Sequence, residues 1–236
     1  MIAVLLIAGN LVREQRWPTL FLVLWSGVVA LAFTWGEEEL IQNDFVFLLG
    51  QEALYAVAFA TFVAAFSVHN ERRSRRILAV LSKAVERRQY LAGMLLGVLL
   101  CCAAYCVSIG LSSLWIARNM DVPGWQFIVL TAVLLMTCAV AAAIALFFAT
   151  FLDPLPATAA TALVIAAPAA LERMLGGAWA NAIPVYSLSA SAMRFSYDPA
   201  WSPGWGGVAV AVVETVVFWL AASWVFERRD IAMAVE

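Results

Sequence analysis

Residues 125–152 read WQFIVLTAVLLMTCAVAAAIALFFATFL, with no charged side chain from end to end. Wound as a helix, this stretch is about 42 Å long, more than the roughly 30 Å hydrocarbon core of a bilayer. No soluble domain can bury such a run on every side, so it reads as a membrane span. Working outward, five further apolar runs of suitable length appear. The six expected spans are Pro18–Trp35, Glu52–Val68, Tyr90–Ala117, Trp125–Leu152, Pro156–Leu171 and Gly206–Phe226. The third and fourth are long enough to tilt or to project beyond the bilayer, and the fifth carries Pro168, which bends or interrupts helices.

The whole composition agrees. Of 236 residues, 64% are hydrophobic and 13% charged, and the mean hydropathy is +0.91. A soluble domain is about 45–50% apolar and about 25% charged. These figures exclude a disordered chain, a secreted disulfide-stapled module and a nucleic-acid binder. Two scarcities exclude chemistries. The single lysine, Lys83, is followed by Ala84, so the Lys-Ser/Thr step of a Walker A loop is missing. The single histidine, His69, rules out paired-His zinc sites. An enzyme within the membrane needs a nucleophile and base that converge, and His69 with Glu214 makes a poor constellation.

Charge sets the expected orientation. The segment His69–Gln89 holds Arg72, Arg73, Arg75, Arg76, Lys83, Arg87 and Arg88, half of the 14 Lys and Arg. The first inter-span loop has Glu37, Glu38, Glu39 and Asp44 and no basic residue. The positive-inside rule places His69–Gln89 in the cytoplasm. Six crossings then put both termini there, in keeping with Arg13, Arg16, Arg228 and Arg229. Trp17 and Trp35 bracket the first span, and Trp205 and Trp224 the last, each pair about 27–29 Å apart. That spacing suits indoles at the two bilayer boundaries. The apolar Ile2–Ala8 is too short to cross, so residues 1–16 are expected to lie as an interfacial helix on the cytoplasmic surface.

The connection between spans two and three is patterned rather than merely basic. Ile77, Leu81 and Val85 recur every four residues, with Leu78 beside them, giving a helix one apolar stripe between charged flanks. Such a helix lies on lipid headgroups or fits a groove on a soluble partner. The run 71–93, ERRSRRILAVLSKAVERRQYLAG, resembles the signature of ABC-2 type permeases, nearest the group associated with multicopper-enzyme maturation and nitrous-oxide reductase. Glu71, Leu81, Ser82, Val85, Arg87, Tyr90 and Gly93 carry that resemblance, and the ending Phe226-Glu-Arg-Arg-Asp230 is also similar. Ala84 stands where the family often has proline, arginines replace a Gly-Thr pair after the glutamate, and Met94 stands where lysine is frequent.

The resemblance implies one transmembrane domain over 1–236, with residues 71–88 as a coupling helix that docks on a separate ATPase subunit. Glu71, Ile77, Leu78, Leu81, Val85 and Arg87 would make that contact. It further implies that the permease works as two copies, or beside a homologous permease, with two ATPases. No cofactor is then expected on this chain, ATP and Mg being bound by the partner. Short external or re-entrant helices over 172–204 would form an exit gate, with Arg173, Tyr186, Arg194 and Trp201 as candidate contacts; ordinary interfacial anchoring explains the same residues.

Glu214, mid-way along the last span, is costly there as an ion. It reads as a translocation-path or interface residue, or as a carboxyl hydrogen-bonded to Thr215 or a neighbouring span. Cys101, Cys102, Cys106 and Cys138 read as buried small side chains, with Cu(I) ligation as the sharper alternative. The expectation is therefore an all-α, six-span permease subunit of an ABC transporter in a bacterial cytoplasmic membrane. The lack of a capturing domain points to export of a substrate the sequence does not specify. A non-transporting scaffold subunit of an enzyme-maturation complex is the alternative.

Overall fold

The computed structural model describes residues 2–35, 42–73, 86–116, 124–175 and 205–228, with side chains throughout except at 2, 33, 42–46, 71–73 and 168–175. Among these residues there are seven α-helices and no strand. They are α1 (Ile2–Glu14), α2 (Arg16–Trp35), α3 (Gln42–Arg73), α4 (Arg87–Ile116), α5 (Gly124–Ala149), α6 (Pro154–Leu175) and α7 (Trp205–Arg228). Four stretches are long and apolar enough to cross a bilayer: Phe47–Asn70, Arg87–Ile116, Gly124–Ala149 and Trp205–Arg228. The chain is thus an all-helical membrane protein. In α2 and α6 the apolar stretches are shorter, Arg16–Ala32 and Pro154–Ala167. Helix α3 begins ten residues earlier than Glu52, and its apolar stretch five, because Glu52 is not a boundary charge but an interior one.

The uncharged α5 occupies the centre, packed against α3, α4, α6 and α7. Its segment Ala139–Leu146 is buried on every face, which suits a helix apolar all round. Alanines there let neighbouring backbones approach closely. Hydroxyls in this apolar interior are satisfied within their own helices. Thr61, Thr137, Thr161 and Thr215 each donate to the carbonyl four residues earlier at 2.8–2.9 Å, so no partner helix is needed.

A ridge of small residues on α4, at positions 93, 97, 101, 104, 108 and 112, organises the α1–α2 side. Gly93 lies against Ile7 and the Val4 carbonyl, and Gly97 against Leu11 and the Ala8 carbonyl. Ser108 donates to the Val23 carbonyl at 3.1 Å, and Ser26 to Ser112 at 3.0 Å. Contact numbers rise together on both partners, so α1 and α2 run parallel to α4 along its length. Within residues 1–16, expected as an interfacial helix, α1 packs lengthwise against the first turns of α4, where two glycines open a groove. The join is a slight bend at Gln15, whose N–H still bonds to Leu11 at 2.9 Å.

Helices α3, α5 and α7 run opposite to α4. Tyr105 of α4 meets Glu52 of α3, Gly110 meets Thr131 of α5, and Tyr90 meets Phe226 of α7. The ends of α3, α5 and α7 and the start of α4 therefore gather at one end of the bundle. The α5–α6 connection is a tight turn, with Leu152 N–H bonding to Phe148 at 2.8 Å. Asp153 caps α6 and its carbonyl accepts from Ala157 at 2.9 Å, with Pro154 in the first-turn position that proline favours. Pro168 does not end this helix, which continues to Leu175.

These registers also reset the tryptophan frame. Val23 opposite Ser108 places Trp17 near residue 102 of α4, and Phe226 opposite Tyr90 places Trp224 near residue 92. The two indoles are offset by about 15 Å along α4. A boundary plane through both is oblique to the helices, so the bundle is tilted in any bilayer that meets both. Tilt also accommodates α3 and α4, whose 32 and 30 residues exceed a perpendicular crossing.

Candidate functional site

At the end where α3 finishes and α4 starts, the described side chains form a clamp. Arg87 donates through Nη1 to the carbonyls of Phe226 and Glu227, at 2.9 Å each. These are orphan acceptors in the last turn of α7, where the helix dipole also favours a cation. Arg88 reaches the Glu227 carboxylate at 2.8 Å, and the Tyr90 ring stacks on Phe226 with centroids 6.2 Å apart. The start of α4 is thereby tied to the end of α7 directly after the charged 74–85 segment. Arg87 was placed among the ATPase contacts; its guanidinium is turned inward to α7.

Of the other expected coupling residues, Glu71 belongs to the last turn of α3, with its side chain outside the described residues, as are Ile77, Leu78, Leu81 and Val85 altogether. Arg173 lies on the backbone of α6, its side chain likewise outside, while Tyr186, Arg194 and Trp201 lie outside the described residues. Glu214 is half-buried on the flank of α7. Its Oε2 is buried and has no hydrogen-bond partner among the described residues. Thr215 is not that partner, since its hydroxyl donates to Ala211 at 2.8 Å.

The best-built polar site was not singled out in the sequence. Glu52 of α3 is 6% exposed, and its Oε2 accepts from the Tyr105 hydroxyl at 2.6 Å. Beside it, between α2, α3 and α4, is a cavity walled by Glu52, Ser26, Ser112 and Ser113 among apolar neighbours such as Leu49 and Ile109. The space open to a water-sized sphere is about 20 Å³. Ser26 Oγ donates to Ser112 Oγ at 3.0 Å, and Ser112 Oγ in turn donates to the Ser26 carbonyl at 3.3 Å. The signal was present: Gln51-Glu52 interrupts an apolar run extending from Phe45 to Phe59. It reads as a span boundary until Tyr105, 53 residues later, is known to face it.

The four cysteines are free and buried, and Cys138 of α5 meets Cys102 and Cys106 of α4. No group of ligating side chains able to hold a metal ion occurs among the described residues. No protein-family model matches the chain, and no curated protein matches it.

Proposed function

We propose that this protein is the membrane-spanning permease subunit of an ABC transporter, working as two copies with two separate ATPase subunits that bind ATP and Mg. The reading rests on the resemblance carried by residues 71–93, and one structural observation supports it. Helices α3 and α4 are antiparallel neighbours of about 48 and 45 Å, joined by the basic, striped segment 74–85. A pair longer than the bilayer core would let that segment act beyond the membrane as a lever. The Arg87–Phe226 clamp passes its displacement to α7, and Gly93 and Gly97 pass it to α1. Closure of the ATPases would push the lever and shift the spans between two packings, exposing a path to the opposite side.

Residues 71–88 are then the coupling helix, Glu214 a residue of the path or the subunit interface, and 172–204 the external gate. The membrane is the bacterial cytoplasmic membrane, with both termini in the cytoplasm and export as the direction. The test is ATP hydrolysis by the copurified ATPase in liposomes, with and without this chain. Stimulation by the native chain should vanish when Glu71→Lys is combined with Leu81→Asn. Undiminished stimulation by that variant defeats the assignment.

A further inference from the structure

We infer that the cavity at Glu52 is a binding site for a primary ammonium group carried on an amphiphile. Four observations converge. First, depth: Ser26 is nine residues from both Trp17 and Trp35, about 13–14 Å from each, which sets the cavity mid-way between the indoles of α2. Second, polarity: three of the hydroxyl protons at the cavity are already committed. Tyr105 donates to Glu52, Ser26 to Ser112, and Ser112 to the Ser26 carbonyl. What these groups still offer is lone pairs, which a donor ligand meets, and Ser113 adds a hydroxyl that can turn either way. Third, charge: the cavity wall contains no basic residue, and a carboxylate at this depth lacks a counter-charge that a cationic ligand would supply. Fourth, size: about 20 Å³ is the room of a single water. An –NH₃⁺ group suits that space better than a trimethylammonium group.

The surroundings select the remainder of the ligand. The chain neighbours of the lining residues, Val28 and Leu31 of α2 and Phe47 of α3, are exposed and apolar, side chains that accommodate an alkyl chain. An aminophospholipid would bring its phosphate beside Glu52 with no basic side chain lining the cavity, so the ligand is a simple long-chain amine. Tyr105, which does not line the cavity, is a positioning residue: it holds Oε2 and leaves the rest of the carboxylate to the ligand. As a substrate site this rests on the transporter reading, naming its substrate class; as a binding site it does not.

Binding of dodecylamine, measured by calorimetry on the purified chain in phosphatidylcholine nanodiscs without any ATPase, tests it. Native protein should bind dodecylamine and discriminate against dodecyltrimethylammonium and dodecyl sulfate. Glu52→Gln should weaken dodecylamine binding at least about tenfold, the loss of one charge-assisted contact, and Tyr105→Phe should weaken it several-fold. Thermal unfolding of each variant near the native temperature certifies the fold, and Cys138→Ala, away from the cavity, should bind as native. Equal binding of the ammonium and trimethylammonium probes overturns the inference. So does full binding by Glu52→Gln, or competition by phosphatidylethanolamine in the nanodisc. Because the ATPase is absent, failure here leaves the coupling experiment standing, and failure of coupling leaves this one standing.

Discussion

The glycine groove on α4 makes a quantitative prediction about how α1 is held. A methyl group added at Gly93 would lie 2.8 Å from Ile7 Cβ and 3.0 Å from the Val4 carbonyl oxygen. Both atoms are fixed to the α1 backbone, and comfortable carbon contacts begin near 3.5 Å, so α1 must retreat by about 0.5–1 Å. At Gly97 the nearest atom, at 2.8 Å, is Leu11 Cδ2, the end of a side chain that can turn, but Leu11 Cβ at 3.0 Å and the Ala8 carbonyl oxygen at 3.1 Å cannot. Gly9 faces nothing within 4 Å. Overpacking costs about 1–3 kcal/mol, and each Gly→Ala exchange in a helix returns up to about 1 kcal/mol of propensity. The expected order is therefore Gly93→Ala destabilised by about 1–2 kcal/mol, Gly97→Ala by slightly less, and Gly9→Ala neutral or slightly stabilised. Residues 93 and 97 share one interface, so the double variant should fall short of additivity, one shift of α1 relieving both. Thermal unfolding in detergent gives the stabilities. Tryptic cleavage at the exposed Arg13 and Arg16 reports on α1 separately and should quicken most for Gly93→Leu, which drives α1 off. If Gly93→Ala behaves like Gly9→Ala in both measurements, α1 does not lie in the groove and the parallel packing is refuted.

Replacing Arg87 by methionine removes two charge-assisted bonds to the last turn of α7, a loss of about 1.5–3 kcal/mol for bonds of this kind. Amide exchange at residues 223–228 should accelerate, whereas Arg88→Ala, which breaks only an exposed ion pair, should scarcely change it. Replacing Glu214 by leucine should leave thermal stability unchanged or raise it, because a buried oxygen without a described partner contributes cost and no bond. A fall of more than about 1 kcal/mol would reveal a partner for Glu214 elsewhere in the chain. The four buried cysteines should resist maleimide in the folded, detergent-solubilised chain and label fully after denaturation; rapid labelling of Cys138 in the folded state would contradict its place between α4 and α5.

Residue type and spacing alone established that the protein is helical and membrane-bound, because a run such as 125–152 admits no other solvent, and every peptide group within a bilayer must be bonded inside its own segment. The ends of α4 and α7 were legible within three residues for the same reason. The start of α3 was not, since Glu52 looks like a span boundary to any method that weighs residues singly. The pairing of Glu52 with Tyr105 joins positions 53 apart in sequence, and no local pattern announces it. The course of α1 was also hidden: its apolar run is too short to cross, yet two glycines on another helix let it lie lengthwise against α4. Arg87 could be counted as one cytoplasmic charge, but only packing shows that its guanidinium closes the end of α7. Hydrophobic patterning fixes which solvent each segment prefers; which charges are buried, and against what, is settled by side chains brought together from distant parts of the chain.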